Sequence, residues 1–190
     1  MTVGVLALQG AFDAHAQKLQ GLGVETREIR TVAELDDVSA LIMPGGESTT
    51  MSMLLESSGL FDAISSRLAD GMGVFGTCAG LILLAATIED GRSDQRCFGR
   101  LDVTVQRNGY GRQVDSFETE IDIDGLESPA HAVFIRAPRI VETGSEVDVL
   151  ATARGDAVLV RQGNALAAAF HPELSEEDRL HRLFLETIAY

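Results

Sequence analysis

Residues 73–84 read Gly73-Val74-Phe75-Gly76-Thr77-Cys78-Ala79-Gly80-Leu81-Ile82-Leu83-Leu84. An apolar run leads into a cysteine bracketed by two glycines, and a second apolar run follows. The first run predicts a short buried strand; the second, continuing through Ala85-Ala86, predicts the start of a packed helix. A nucleophilic side chain between glycines at a strand-to-helix corner has the form of a nucleophile elbow, G-x-S-x-G with cysteine in place of serine. The turn is too sharp for Cβ atoms beside it, so Gly76 and Gly80 push Cys78 to the rim of a sheet on a strained backbone. The helix then aims its free N–H groups and the positive end of its dipole at the sulfur. An isolated cysteine is more often a buried structural residue. Five positions of matching context reverse that preference here.

The flanking sequence supplies the rest of the layout. Val3 to Leu8 is a buried strand ending in Gln9-Gly10, and Phe12 to Leu22 forms a helix stopped by Gly21 and Gly23. Val24 to Ile29 alternates like a half-buried strand, and Ala40 to Met43 is a third strand running into Pro44-Gly45-Gly46-Glu47-Ser48. Thr49 to Leu55 and Leu60 to Leu68 are helices, with Ser48 the expected cap of the first. Strands alternating with helices predict an α/β fold with a mainly parallel sheet covered on both faces. Its ligand site belongs at the carboxyl ends of the strands.

Beyond Leu101 the pattern changes to short strand-like runs: Leu101 to Val105, Phe117 to Ile123, Ala132 to Ile135, Val147 to Ala153 and Ala157 to Gln162. These predict an antiparallel extension of the same sheet. A last strand, Ala165 to Phe170, delivers His171-Pro172-Glu173. A helix follows, with Ser175 and Asp178 forming a capping-box-like start and Leu180, Leu183, Phe184 and Ile188 an apolar stripe.

The bulk composition narrows the function classes. At 190 residues with 45% hydrophobic content, the chain can bury a core as one domain, 1–190, without a disulfide or metal. The net charge of -14 repels polyanions, so neither nucleic acid nor a membrane surface is an expected partner. Lys18 is the only lysine, a bias that either salt adaptation or codon usage would produce. The two cysteines form no disulfide spacing, the first ten residues carry no basic leader, and no apolar run is long enough to span a bilayer. A soluble, cytoplasmic protein is expected.

Cys78 needs a base, and His171 is the candidate because it alone among four histidines ends a predicted buried strand. Glu173, two residues on, can project to the same side, fix the imidazole tautomer and stabilise the imidazolium. The adjacent glycines Gly45-Gly46 let backbone N–H groups approach an anion, as an oxyanion hole requires, and the Ala79 amide is the expected second donor. Cys97, in a polar loop, is given no role. His15 and His131 (the latter placed in a turn) are read as solvated or packed, His181 as facing outward, and Met43, Met51 and Met53 as core filler.

The elbow, the Pro-Gly-Gly-Glu-Ser-Thr run and His-x-Glu at a strand end together resemble the class I (triad) glutamine amidotransferases, a three-layer, flavodoxin-like fold. More narrowly, the chain is similar to the branch that serves pyridoxal 5′-phosphate synthase. That likeness spans the whole chain and includes Leu6 to Gly10, Pro44 to Thr49, Arg107-Asn108-Gly109-Tyr110-Gly111-Arg112-Gln113, Asp115 to Glu118, Phe134 to Pro138 and His171 to Glu173. The Arg107 to Gln113 run is the most discriminating, because other amidotransferase subunits share the elbow without it.

The resemblance implies hydrolysis of L-glutamine to glutamate and ammonia by Cys78, His171 and Glu173. It implies oxyanion donors at Gly46 and Ala79, and glutamine held by Gly46, Glu47, Ser48, Arg107, Ile135 and Arg136. Two arginines can clamp a carboxylate. It implies a (β/α)8-barrel synthase subunit as the partner that receives the ammonia, and no metal or bound cofactor. Competing readings are the glutaminase of another pathway, an elbow-cysteine hydrolase, and a non-catalytic scaffold subunit.

Overall fold

The structure is a computed structural model that describes residues 1–107 and 116–189. Its centre is a seven-stranded sheet. In chain order the strands are β1 (Thr2–Leu6), β2 (Glu25–Ile29), β3 (Ala40–Met43), β4 (Gly73–Thr77), β10 (Asp148–Ala153), β11 (Asp156–Gln162) and β12 (Ala165–Ala168), arranged in space β10-β11-β12-β4-β3-β1-β2. The five strands from β12 to β2 pair in parallel, whereas β11 runs antiparallel to both of its neighbours. Every residue of β3, β4 and β12 is buried, the signature of strands covered on both faces, while the edge strand β2 alternates. Helices α1 (Phe12–Gly21), α3 (Ser48–Ser57), α4 (Leu60–Ala69), α5 (Ala79–Leu84) and α6 (Arg179–Thr187) pack around this sheet, with a short α2 (Val32–Leu35) beside β2. No described helix is long and apolar enough to cross a membrane.

The antiparallel part departs from expectation. Among the described residues, only β10 and β11 extend the central sheet. Strands β5 (Ala85–Ile88), β6 (Leu101–Gln106) and β9 (Arg139–Thr143) form a separate three-stranded sheet, and β7 (Phe117–Ile121) pairs with β8 (Ala130–Phe134) in a third. Strand β9 escapes the sequence reading because its pattern, exposed-buried-intermediate-exposed-exposed, offers one buried side chain. Likewise Ala85-Ala86 begin β5 and do not continue α5. The N–H groups of Phe98, Gly99 and Arg100 donate to the carbonyls of Leu83, Ala85 and Leu84, taking the acceptors a longer helix would have used. Tertiary pairing overrides the helix preference of alanine.

Two cap assignments also change. Helix α3 is capped by Glu47, whose carboxylate accepts from the Thr49 and Thr50 N–H groups at 3.1 and 2.7 Å; Ser48 is the first helical residue. Helix α6 starts at Arg179, because Ser175 is occupied elsewhere: its hydroxyl donates to the Pro172 carbonyl and accepts from the Glu177 N–H. Together with a 3-10 turn over Pro172–Leu174, these bonds fold the chain tightly after β12. Met43 and Met51 are core residues, but Met53 is exposed on the outer face of α3.

Candidate active site

The adjacency of parallel strands assembles the site. β12, β4, β3 and β1 are neighbours, so the segments leaving their carboxyl ends converge: His171 after β12, Cys78 after β4, Gly45 to Ser48 after β3 and Gln9 after β1. Register aligns Gly76 with Met43 and Thr77 with Ala168, placing the elbow between the glycine loop and the histidine. This is the location expected for ligands in an open α/β sheet.

Cys78 sits at the turn with φ +50 and ψ −102, a conformation that L-residues avoid. The bond from its N–H to the Ala168 carbonyl, at 2.9 Å, and the bond from Ile82 N–H to its own carbonyl hold it there. Gly80 is needed for packing: a Cβ at that position would stand 2.1 Å from the Met43 carbonyl oxygen, so no side chain fits between the first turn of α5 and β3. Gly45 is needed for a second reason. A Cβ there would lie 2.4 Å from His171 Cε1 and 3.4 Å from the Cys78 Cβ, so the loop runs against both side chains.

His171 is tied down on two sides. Its backbone N–H donates to the Val133 carbonyl at 2.8 Å, which seats the end of β8, and hence Ile135-Arg136, beside the site. Its ring Nδ1 is 2.7 Å from Glu173 Oε1, and the Glu173 side chain is wholly buried. Burial opposes a charge on this ring, but hydrogen bonds to Cys78 and Glu173 outweigh it and push the imidazolium up to about 10. Burial also disfavours the Glu173 carboxylate, yet the His171 hydrogen bond and the nearby histidines hold it below the ordinary value.

Gln9, Gly46, Glu47, Ser48, Cys78, Ile82, Arg107 and Arg136 line one cleft of about 470 Å³, room for a small polar metabolite. The half-exposed Glu47 carboxylate does more than cap α3: Oε1 also accepts from Arg107 Nη2 at 3.1 Å, so the side chain positions an arginine. Its backbone N–H donates to Gln9 Oε1 at 2.9 Å. Arg136 adopts φ +46, a second strained residue at the cleft. Ile135 is 39% exposed and does not line the cleft itself. Ala79, on the first turn of α5, is fully buried. Of the discriminating run, only Arg107 is described; Asn108 to Gln113 lie outside the described residues.

Gln9 and a buried histidine pair here went unread in the sequence. Gln9 stands at the end of β1, where the strand-end rule points, but glutamine has no catalytic signature. The other miss concerns the histidines. His181 does not face outward: it is 0% exposed, as is His15, and His15 Nδ1 lies 2.8 Å from His181 Nε2. The signal was available, since each falls on an apolar stripe, His15 with Phe12, Ala16 and Leu19, and His181 with Leu180 and Phe184. His131 is on β8 and not in a turn, and its two ring nitrogens meet Glu118 and Glu120. Cys97 is half-buried, its thiol pushed up by that burial, and is remote from the cleft lining.

Residues 5–190 match the SNO glutamine amidotransferase family. A relative from Nocardioides sp., named pyridoxal 5′-phosphate synthase subunit PdxT, is 52% identical over 192 residues, covering 98% of this chain and 96% of its own. One of the same name from Herpetosiphon aurantiacus is 54% identical over 188 residues, covering 97% and 99%. A crystal structure described as a glutamine amidotransferase superposes with a TM-score of 0.93 at 48% identity, covering 99% of both chains.

Proposed function

The chain belongs to the SNO glutamine amidotransferase family, and from that premise we propose that it is the glutaminase subunit of a pyridoxal 5′-phosphate synthase, with Cys78, His171 and Glu173 as its catalytic triad. The observation that carries the assignment is the hydrogen-bonded His171–Glu173 pair beside a strained elbow cysteine that lines a cleft with two arginines.

Each group has a physical task. Arg136 and Arg107 attract the α-carboxylate of L-glutamine, and Gly46, Ser48, the Glu47 backbone and the Ile135 backbone hold the amino-acid head. The Cys78 thiol passes its proton to His171, and the sulfur attacks the side-chain amide carbon. The resulting oxyanion is met by the Gly46 and Ala79 N–H groups. His171 returns the proton to the amide nitrogen, the carbon–nitrogen bond breaks, and ammonia leaves behind a glutamyl thioester. Water, deprotonated by His171, then attacks the thioester; glutamate departs and the thiol is restored. Glu173 keeps the Nδ1–H of His171 in place throughout, so that the other ring nitrogen serves as the base.

The ammonia is useful only to an acceptor, which supports a barrel-type synthase subunit as partner. A cytoplasmic setting suits the proposal, since both cysteines are free. The deciding experiment measures glutamate release from L-glutamine with and without a pyridoxal 5′-phosphate synthase barrel subunit. We expect a weak basal rate that rises on complex formation. Equal rates in both tubes would remove the synthase from the assignment, and no release in either would remove the glutaminase.

A further inference from the structure

A polar chain runs inward from the back of the triad, away from the cleft. Glu173 uses Oε1 to hold His171, while Oε2 has no full hydrogen bond among the described residues. A buried carboxylate oxygen left that way is costly. Facing it at 3.4 Å is His15 Nε2, from α1, which also lies 3.1 Å from Thr77 Oγ1 at the end of β4. The other His15 nitrogen, Nδ1, is 2.8 Å from Nε2 of His181 on α6. His181 Nδ1 has no hydrogen-bond partner among the described residues. Three elements distant in sequence thus place two imidazoles behind one catalytic carboxylate.

Counting protons fixes the direction of this chain. Burial drives both rings to the neutral form, with His15 lowered to about 4 and His181 to about 3, the latter also repelled by His15 and Lys18. Each neutral ring carries one N–H. In one arrangement His15 donates from Nδ1 to His181; Nε2 then turns a lone pair toward the Glu173 carboxylate, and His181 is left with an unpaired buried N–H. In the other, His181 donates from Nε2 to His15 Nδ1, and the His15 Nε2–H is shared between Thr77 Oγ1 and Glu173 Oε2. Only a bare lone pair on His181 Nδ1 is then unsatisfied, which costs less than an orphaned N–H. The second arrangement wins.

We infer that His15 is a positioning residue for the glutaminase reaction: its Nε2–H holds the second oxygen of Glu173, and His181 locks the His15 tautomer that makes this possible. The inference rests on the triad assignment above. His15 touches neither substrate nor sulfur and acts on how rigidly Glu173, and through it His171, is aimed. Such an effect appears in the chemical step and not in substrate affinity.

The test is a pair of amides at position 15 assayed in the complex with the barrel subunit. A glutamine side chain can present an N–H where the imidazole Nε2 stands, whereas asparagine ends at the Nδ1 position. His15→Asn should lower kcat about tenfold or more with KM held within about twofold, and His15→Gln should recover most of the loss. Equal kcat values for the two variants, or a loss carried by KM, overturn the inference. If His15→Asn fails to fold, His181→Leu serves in its place. Without the donor at Nδ1, His15 is free to take the other tautomer, so kcat falls several-fold at constant KM; an unchanged kcat overturns the idea. Cys78→Ala, run alongside, separates the two levels. If it still releases glutamate, the triad assignment itself fails, whatever position 15 does.

Discussion

The described residues hold two histidine–carboxylate clusters built from the same kinds of side chain. One is buried behind the elbow: Glu173 between His171 and His15, with His181 beyond. The other lies on the β7–β8 sheet, where His131 meets Glu118 and Glu120 at 2.9 Å through its two ring nitrogens. The shortest ring-to-carboxylate contacts are nearly equal, 2.7 Å in the first and 2.9 Å in the second. What differs is water: the Glu173 side chain is 0% exposed, whereas Glu118 and Glu120 are 65% and 61% exposed. In the interior a charge persists only where partners offset its desolvation, and a ring without enough of them stays neutral. His171 is therefore raised while His15 and His181 are lowered, within a single network. At the surface, solvent and salt weaken every pair, and the cluster contributes little beyond local charge.

The contrast is sharpest in activity. Glu173→Gln keeps the shape but replaces the acceptor of the His171 Nδ1–H with a group that can equally present a donor. In the buried cluster this should lower kcat by roughly 10³- to 10⁴-fold, as for triad carboxylates in general. Steady-state glutamate release from the complex checks it. A loss below about tenfold would mean that His171 is oriented mainly by its backbone bond to Val133.

Stability against pH separates the clusters next. His15 and His181 have folded values near 4 and 3, below the 6.5 of the unfolded chain. As pH falls below 6.5 the unfolded state takes up protons that the folded state refuses, so stability is full above that value and declines toward acid. Groups whose value is raised, His171 and His131, change their contribution only above 6.5, and the lowered carboxylates only below about 4.5. The interval between is therefore governed by the buried pair. Urea unfolding at pH 6 and pH 5, both inside that interval, should differ by roughly 1 kcal/mol per buried histidine, close to the limiting ~1.4 kcal/mol per pH unit. A flat profile across that interval would mean that the two rings are hydrated and charged in the folded protein.

How much of this was legible in the sequence follows the same division between local and assembled features. The elbow, the glycine loop and His-x-Glu each announce themselves within a few residues, and the parallel order of β3, β4 and β12 brings them together. Strands such as β4, apolar on both faces, leave little ambiguity. The peripheral sheets were harder, because short half-exposed strands like β9 carry almost no periodicity and are decided by what they pair with. Capping by Glu47 in place of Ser48 was hidden too: both residue types can accept from the first-turn N–H groups, and they are adjacent in the chain. The His15–His181 contact, 166 residues apart in the chain, has no local signature. Two polar residues on apolar stripes were its only trace, and a lone stripe histidine says nothing of which other stripe it meets.

The smallest expected effect is the surface cluster's, and it tests the comparison from the other side. Hydrogen bonds that the His131 ring donates to Glu120 and Glu118 raise it above its ordinary value, against opposition from burial. Its contribution to stability is thus complete below 6.5 and lost as pH climbs through the raised value. Because the ring and both carboxylates are open to solvent, high salt should bring the NMR titration midpoint of His131 back toward 6.5, as should the double substitution Glu118→Gln and Glu120→Gln. The same double variant should leave the unfolding midpoint within error and kcat within about twofold, since nothing in the cluster reaches the cleft. A fall in complex-stimulated activity with basal glutaminase intact would instead assign these carboxylates to the barrel subunit's docking face. A fall in both rates would mean that the β7–β8 sheet transmits strain to His171 through the Val133 carbonyl, and that exposure alone does not separate the two clusters.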